Sequence, residues 1–389
     1  MAENSGSWPK AVRDTIHKLK AVTRDLKQRF TARDEAIDLL ALGTVCQEQV
    51  LLVGPPGTAK TQLITHYTQL IAATGFHYLL TRFTELFGPV DLEKFKTGRY
   101  EVRTEGMLPD SQVVFLDEVF RGSSPILNSL LTILNERMFF NGPRQQVVPL
   151  VLLVGATNDI PDDPSLLALS DRFVLRSELG PVADDQLDNL LDLGWELERE
   201  TIEARIREIE EHAPRQEAAT VHVDDLVKLH GRLREVDLSR VQTDYVQVLR
   251  QLRAQGVQIS DRRAVKGLKL IAGHTLLRES SIAEIQDFRP LEHIWSRPDE
   301  VRQIREVIQP RIAEAGGTSG EAVRPPEDIL SHLATLVSQP PRQRAGAAAG
   351  AYLMALNRLR RELIHDHPGD ASARHKVDQV IRTFLETME

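Results

Sequence analysis

The chain of 389 residues holds a single cysteine, Cys46. One thiol excludes an internal disulfide and a cysteine-built zinc cluster within one chain. Its place in the apolar run IDLLALGTVCQEQ is that of a small buried residue. No run of about 18 apolar residues occurs, so no membrane-spanning helix is expected. The first residues, MAENSGSWPK, lack the apolar centre of a secretion signal, and the expected location is cytoplasmic. Excess positive charge is missing too. The formal net charge is −8, the wrong sign for a chain that coats nucleic acid or an anionic membrane, so neither is an expected partner. There is no internal repeat. What remains is the composition of a soluble globular protein, 41% hydrophobic and 27% charged, too long for one ordinary core and expected to form two or three domains.

The N-terminal part reads as helices. Val12, Ile16, Leu19, Val22 and Leu26 recur at three- and four-residue spacing, one face of a helix. After Phe30 a second apolar helix, EAIDLLALGTV, leads into a short strand, Val50 to Val53. From there strands and helices alternate: a helix from Lys60, a strand near HYLLTRF, the strand VVFLDE, the helix SSPILNSLLTILNER, the strand LLVGATN and the short strand FVLRS. Apolar runs of that length with helices between them predict an α/β fold with a parallel sheet covered on both faces. The pattern ends near Leu179. Beyond it, helix-period spacing dominates. Ile202, Ile206 and Ile209 mark one helix, Val301, Ile304, Ile308 and Ile312 another. AGGTSGEAVRPPED reads as a linker by its Gly, Ser and Pro content.

Between the first strand and the helix from Lys60 stands Gly54-Pro55-Pro56-Gly57-Thr58-Ala59-Lys60-Thr61. It departs from the phosphate-loop pattern Gly-x-x-x-x-Gly-Lys-[Ser/Thr] at Ala59 alone. A loop that leaves a buried strand and opens a helix turns backbone N–H groups and the helix dipole toward an anion. Lys60 is placed to reach the β- and γ-phosphates of a nucleotide, and the Thr61 hydroxyl to hold Mg²⁺. Ala59 adds a methyl at a position expected to be helical already. A plain Gly-Pro turn would have no need of the Lys-Thr pair.

VVFLDE puts Asp117 and Glu118 at the carboxyl end of a second buried strand, the edge where ligands bind in open α/β sheets. Asp117 is the candidate for the magnesium shell and Glu118 for orienting and deprotonating a water. A lone Asp-Glu after a strand is more often a solvated loop start; its place on a second strand after Lys60 favours the functional reading.

With these motifs the chain resembles an AAA+ ATPase of the MoxR family, and within it the regulatory-ATPase-variant (RavA) branch. The residues that carry the likeness are GPPGTAKT, FTELFGPVDL, FLDEVFRGSSPILNSLLTILNERMFFNG, LLVGATNDIP, LSDRF and ISDRRA. Alanine before the loop lysine is common in that family. The resemblance implies an AAA+ P-loop core with a five-stranded parallel sheet (residues 1–192, with the N-terminal helices), a helical segment (193–220), an all-α lid (221–298) and a discontinuous C-terminal helical bundle (299–389, with a linker at 315–328). It implies ATP or ADP with Mg²⁺ as ligands and a homo-hexameric ring. It also implies a partner with a von Willebrand factor A domain on another chain, since DASAR at Asp370 lacks the last serine of that domain's metal motif. The small β-rich insert of the regulatory branch has no counterpart here.

Roles follow residue by residue. Asn158 matches the sensor-1 amide beside the attacking water. Arg172 matches the arginine finger offered to a neighbouring subunit, its alternative being an ordinary pair with Asp171 or another acid. Arg263 matches sensor 2, with Arg262 as rival, and Arg137 is a second interface candidate. Phe30 lies where AAA+ proteins pack adenine, and a plain core contact is an equal reading. Phe87, Phe139 and Phe140, in the two inserts of this clade, are either client contacts or core anchors. Three functions remain open: a remodelling ATPase, a nucleotide-gated scaffold with slow hydrolysis, and a nucleic-acid motor. The acidic charge speaks against the last.

Overall fold

The structure is a computed structural model and describes residues 8–79, 82–211, 219–315, 326–338 and 371–386, together with Tyr352, Leu356, Leu359, Arg360 and Leu363. Contacts divide the chain into two units, Met1–Ala315 and Gly316–Glu389.

The first unit opens with α1 (Lys10–Arg29), whose predicted apolar face is buried as Val12, Ile16, Leu19, Val22 and Leu26. The next helix, α2 (Asp34–Cys46), is buried along nearly its whole length and stops where Gln47 turns left-handed. Then come β1 (Val50–Val53), α3 (Lys60–Leu70) and β2 (Gly75–Leu79). The strand expected near His77 therefore starts earlier. It pairs with the next strand from Gly75 opposite Val113 to Leu79 opposite Asp117, and Phe83 already opens a helix.

Two short helices, α4 (Phe83–Phe87) and α5 (Leu92–Lys96), precede β3 (Val113–Asp117) and α6 (Ser124–Glu136). A hairpin of β4 (Met138–Asn141) and β5 (Arg144–Val147) follows, with Asn141-Gly142, a dipeptide that favours tight hairpin turns, at its turn. This hairpin is fixed to the loop after α5. The Asn141 amide donates to the Val102 carbonyl and its oxygen accepts from the Val102 N–H. A Cβ on Gly142, which has φ +60°, would stand 2.1 Å from the Tyr100 carbonyl oxygen. Phe87 and Phe139 stack 5.0 Å apart and are buried. They are core anchors, whereas Phe140 is exposed.

The core closes with β6 (Leu152–Thr157), α7 (Leu167–Ser170) and β7 (Leu175–Glu178). Five strands form one parallel sheet in the order β2-β3-β6-β1-β7. Being covered on both faces, β1 and β6 are buried at every residue, which explains their unbroken apolar sequence. The carboxyl ends of β1, β3 and β6 lie side by side, at the switch point where an open α/β sheet takes its ligand.

Helices complete the unit: α8 (Leu187–Glu211), α9 (Val223–His230), α10 (Gln242–Ala254), α11 (Asp261–Leu277), a 3₁₀ stretch Ile285–His293 and α12 (Glu300–Ala315). Ile202, Ile206 and Ile209 lie on α8, the helix their spacing marks; Ile202 and Ile206 are exposed, and the Ile209 side chain lies outside the described residues. The helix predicted from Val301 packs on the 3₁₀ stretch, within this first unit. In the second unit, α13 (Pro326–Ser338) and α14 (Ala371–Glu386) share a small core of Ile329, Leu333, Leu356, Leu359, Leu363, Ala373 and Val377. Most of the expected linker, residues 316–325, lies outside the described residues, and Pro326 is already helical. Among the described residues no helix is long and apolar enough to cross a membrane.

Candidate active site

The phosphate-type loop leaves β1 through Gly54, whose N–H donates to the Thr157 carbonyl at 3.0 Å. A Cβ at Gly54 would meet the Leu179 carbonyl oxygen at 2.1 Å, so only glycine fits there. Gly57 has open space around it but a φ of +83°, which favours glycine for conformation alone. Ala59 corrects the sequence expectation. It is left-handed, not helical (φ 60°, ψ 21°), and the helix starts one residue later. An L-residue there costs about 1–2 kcal/mol. Ala59→Gly would remove that cost and add roughly 0.5–1 kcal/mol of unfolded-chain entropy. The expected result in denaturant unfolding is a protein of unchanged stability or about 1 kcal/mol more stable. A loss of more than about 1 kcal/mol would mean that the Ala59 methyl packs well enough to outweigh the strain.

Lys60 is buried, and its ammonium donates to the carbonyls of Gly54 at 2.7 Å and Pro55 at 3.0 Å. Burial pulls its pKa down, opposed by the nearby Asp117 and Glu118 carboxylates. Thr61 is exposed, and its hydroxyl makes no hydrogen bond among the described residues. Pro55 and Pro56 are exposed as well, while Thr58 is buried and donates to the Pro55 carbonyl.

Arg33, just before α2, is a residue the sequence analysis missed. It is buried, donating Nε to the Thr58 carbonyl at 3.1 Å and Nη2 to the Gly180 carbonyl at 3.1 Å. It thereby braces the loop against the segment after β7, and burial lowers its pKa. Its only trace in the sequence is a lone cation at the head of an apolar helix. Phe30 is a correction. It is 3% exposed and meets the His66 ring of α3 edge-on at 5.7 Å. Packed in this way it is a core contact and offers no open face to an adenine.

At the end of β3, Asp117 Oδ1 accepts from the Glu118 N–H at 3.0 Å. Glu118 is left-handed, with φ 52°, which turns its side chain out of the strand's alternation. Its Oε1 accepts from Asn158 Nδ2 at 3.0 Å, and Oε2 lies 3.4 Å from Arg121 Nε. Asn158 directly follows β6. The Lys60 loop, Asp117, Glu118 and Asn158 are therefore brought together on adjacent strand ends. No trio of His, Cys, Asp or Glu among the described residues would cage a metal. Magnesium is usually held by one or two protein groups together with substrate phosphates and water, and Asp117 with Thr61 fits that donor set.

The two arginines fare differently. Arg172 follows α7 in a turn, half-buried, with no acid paired to it among the described residues and a buried Nε that has no hydrogen-bond partner. Burial, and then the neighbouring Arg262, lower its pKa. Asp171 is engaged elsewhere, 3.1 Å from Arg262 Nη1 and 3.3 Å from Arg263 Nε. Arg263 is 1% exposed, with Nη1 donating to the Ile294 and Trp295 carbonyls and the Ser296 hydroxyl. A guanidinium so enclosed by carbonyls is a structural tie, and the sensor-2 expectation for Arg263 is not met in this arrangement. Arg137 is likewise tied inward, to the Gln47 carbonyl at 2.8 Å.

Sheet order, loop and acid pair together define a P-loop nucleotide-binding fold of the AAA+ class. Residues 17–216 match the profile of the MoxR domain in the MoxR-vWA-beta-propeller ternary systems. Two uncharacterized proteins of Methanocaldococcus jannaschii are each 35% identical, one over 74% of this chain and 74% of its own length, the other over 76% and 74%. Chaperone MoxR1 of Mycobacterium tuberculosis is 26% identical over 46% of this chain and 49% of that protein. The crystal structure of a protein described as a "putative ATPase" from Cytophaga hutchinsonii matches with a TM-score of 0.59 at 17% identity, covering 78% of this chain and 96% of that one; it supports the fold alone. The chain belongs to the MoxR family of AAA+ ATPases.

Proposed function

We propose that this protein is a ring-forming, Mg-ATP-dependent ATPase that couples hydrolysis at subunit interfaces to remodelling or activation of a partner protein. The observation that carries the reading is the 3.0 Å hydrogen bond from Asn158 to Glu118, on the sheet edge that also bears the Lys60 loop. In this reading Lys60 and the loop N–H groups bind the phosphates, and Glu118 takes a proton from water that Asn158 helps to orient. Magnesium held by Thr61 and Asp117 would neutralise charge on the phosphate oxygens. Arg172 serves the nucleotide of a neighbouring copy.

The profile match supports a partner with a von Willebrand factor A domain. A six-membered ring, the regulatory-ATPase-variant likeness, a cytoplasmic location and the division at residues 192, 220 and 298 belong to the same proposal. A slow, nucleotide-gated scaffold is the second reading, favoured by one feature: Glu118 is restrained on both oxygens, by Asn158 and Arg121.

Lys60→Ala tests the proposal. Titration with a fluorescent ATP analogue and phosphate release in magnesium should both fall by about 10²-fold or more. Full turnover in that variant would remove the loop from the mechanism.

A further inference from the structure

The turn that carries Arg172 is gripped from the lid, and Arg172 is the member left out. The Ser170 carbonyl accepts from Arg176 Nη2 at 2.6 Å and from Arg263 Nη2 at 3.4 Å. Asp171 Oδ1 accepts from the Ser260 hydroxyl at 2.9 Å, and Oδ2 accepts from Arg262 Nη1 at 3.1 Å. Arg176 and Arg263 both reach onward to the segment after the 3₁₀ stretch. The Ser296 carbonyl accepts from Arg176 at 2.6 Å and the Ser296 hydroxyl from Arg263 at 2.8 Å. Each of these two arginines is 1% exposed.

A carboxylate next in sequence to a cation is an obvious partner for it. Here both oxygens of Asp171 are committed to the first turn of α11 and its cap, so Arg172 forms no ion pair among the described residues and feels Asp171 only at longer range. The contacts from Ser260, Arg262 and Arg263 fix residues 170 and 171 to the start of α11, so a lid that swings pulls on the base of Arg172, against the hold of Arg176 from β7.

We propose that Asp171 is a positioning residue: by binding Ser260, Arg262 and Arg263 it leaves Arg172 without a paired acid and makes its aim follow the lid. The inference rests on the reading of Arg172 as acting on a neighbour's nucleotide. It links one subunit's lid to hydrolysis in the next.

The test uses the full chain with Asp171→Asn, which keeps the shape and removes the charge. Turnover, KM for ATP, and recovery on mixing with the Glu118→Gln chain are measured, with Arg172→Ala alongside. Turnover is expected to fall roughly 10–100-fold, as for a reacting group displaced by about an ångström, with KM changed less than about twofold. Mixing should restore activity, because Glu118→Gln chains supply an intact Arg172 turn to active sites they do not themselves possess. Wild-type turnover in Asp171→Asn beside an inactive Arg172→Ala would overturn the positioning role and leave the Arg172 reading standing. So would a loss that mixing does not restore while the same mixing restores Arg172→Ala. Normal turnover in Arg172→Ala would instead sink the reading beneath it, and this proposal with it. If Asp171→Asn does not fold, the partly exposed Arg262 carries the test. Arg262→Ala should lower turnover and Arg262→Lys recover most of it; no fall in Arg262→Ala would overturn the proposal.

Discussion

Arg172→Ala is expected to lower ATP turnover by about 10³-fold or more while the same chain still binds ATP. A guanidinium placed over a transferring phosphoryl group contributes about 10³–10⁵ in related phosphoryl-transfer enzymes. The structure makes Arg172 fit for that work. Arg172 is in no ion pair among the described residues, because the adjacent Asp171 is engaged by Arg262 and Arg263 of α11. The turn's shape comes from its backbone, with the Arg172 N–H donating to the Leu169 carbonyl at 3.0 Å. Truncating the side chain should therefore leave folding intact. Phosphate release and equilibrium binding of an ATP analogue, measured on the same preparation, check both halves. A variant that binds ATP and hydrolyses it at the normal rate would end the role given to Arg172. So would wild-type activity strictly proportional to chain concentration down to dilutions where no self-association persists.

The second large effect is expected at Glu118. Glu118→Gln should reduce turnover by about 10²–10⁴-fold, the range that a positioned general base supplies. A glutamine oxygen can still accept from Asn158 Nδ2, so the left-handed turn after β3 and the neighbouring Asp117 keep their places. ATP should bind at least as tightly and stay unhydrolysed, visible as ATP recovered from the isolated complex. If the wild type is already so slow that the substitution changes the rate less than about tenfold, the scaffold reading becomes the better one.

The parts of the site legible in the sequence are those defined by local order. Lys60-Thr61 opens a helix after a buried strand, Asp117-Glu118 ends another, and Asn158 follows a third; parallel pairing then brings those ends together. The parts that were not legible depend on what other segments do. A serine cap followed by Arg262-Arg263 reads the same whether a guanidinium faces a phosphate or backbone carbonyls, and the packing of Ile294 to Ser296 decides it for Arg263. Phe30 reads the same as an adenine platform or as a core ring until His66 is seen against it. The left-handed backbone of Ala59 and Glu118 is hidden because neither residue type announces it. Arg33 is hidden because its acceptors are carbonyls at Thr58 and Gly180, which carry no signature. The exposure of Ile202 and Ile206 shows the limit of periodicity: spacing identifies a face without saying that anything covers it.

The hairpin after α6 is held in place by more than its own strand pairing. Asn141 and Gly142 hold it to the backbone at Tyr100 and Val102, and Gln146 Nε2 donates to Asp110 Oδ1 at 2.5 Å, shortly before β3 begins. Phe140 sits at the outer end of that linkage and Glu118 beyond the inner one. Any rearrangement of this hairpin must therefore break or carry along the contacts at Val102 and Asp110, on the segment that runs directly into the strand ending in the acid pair.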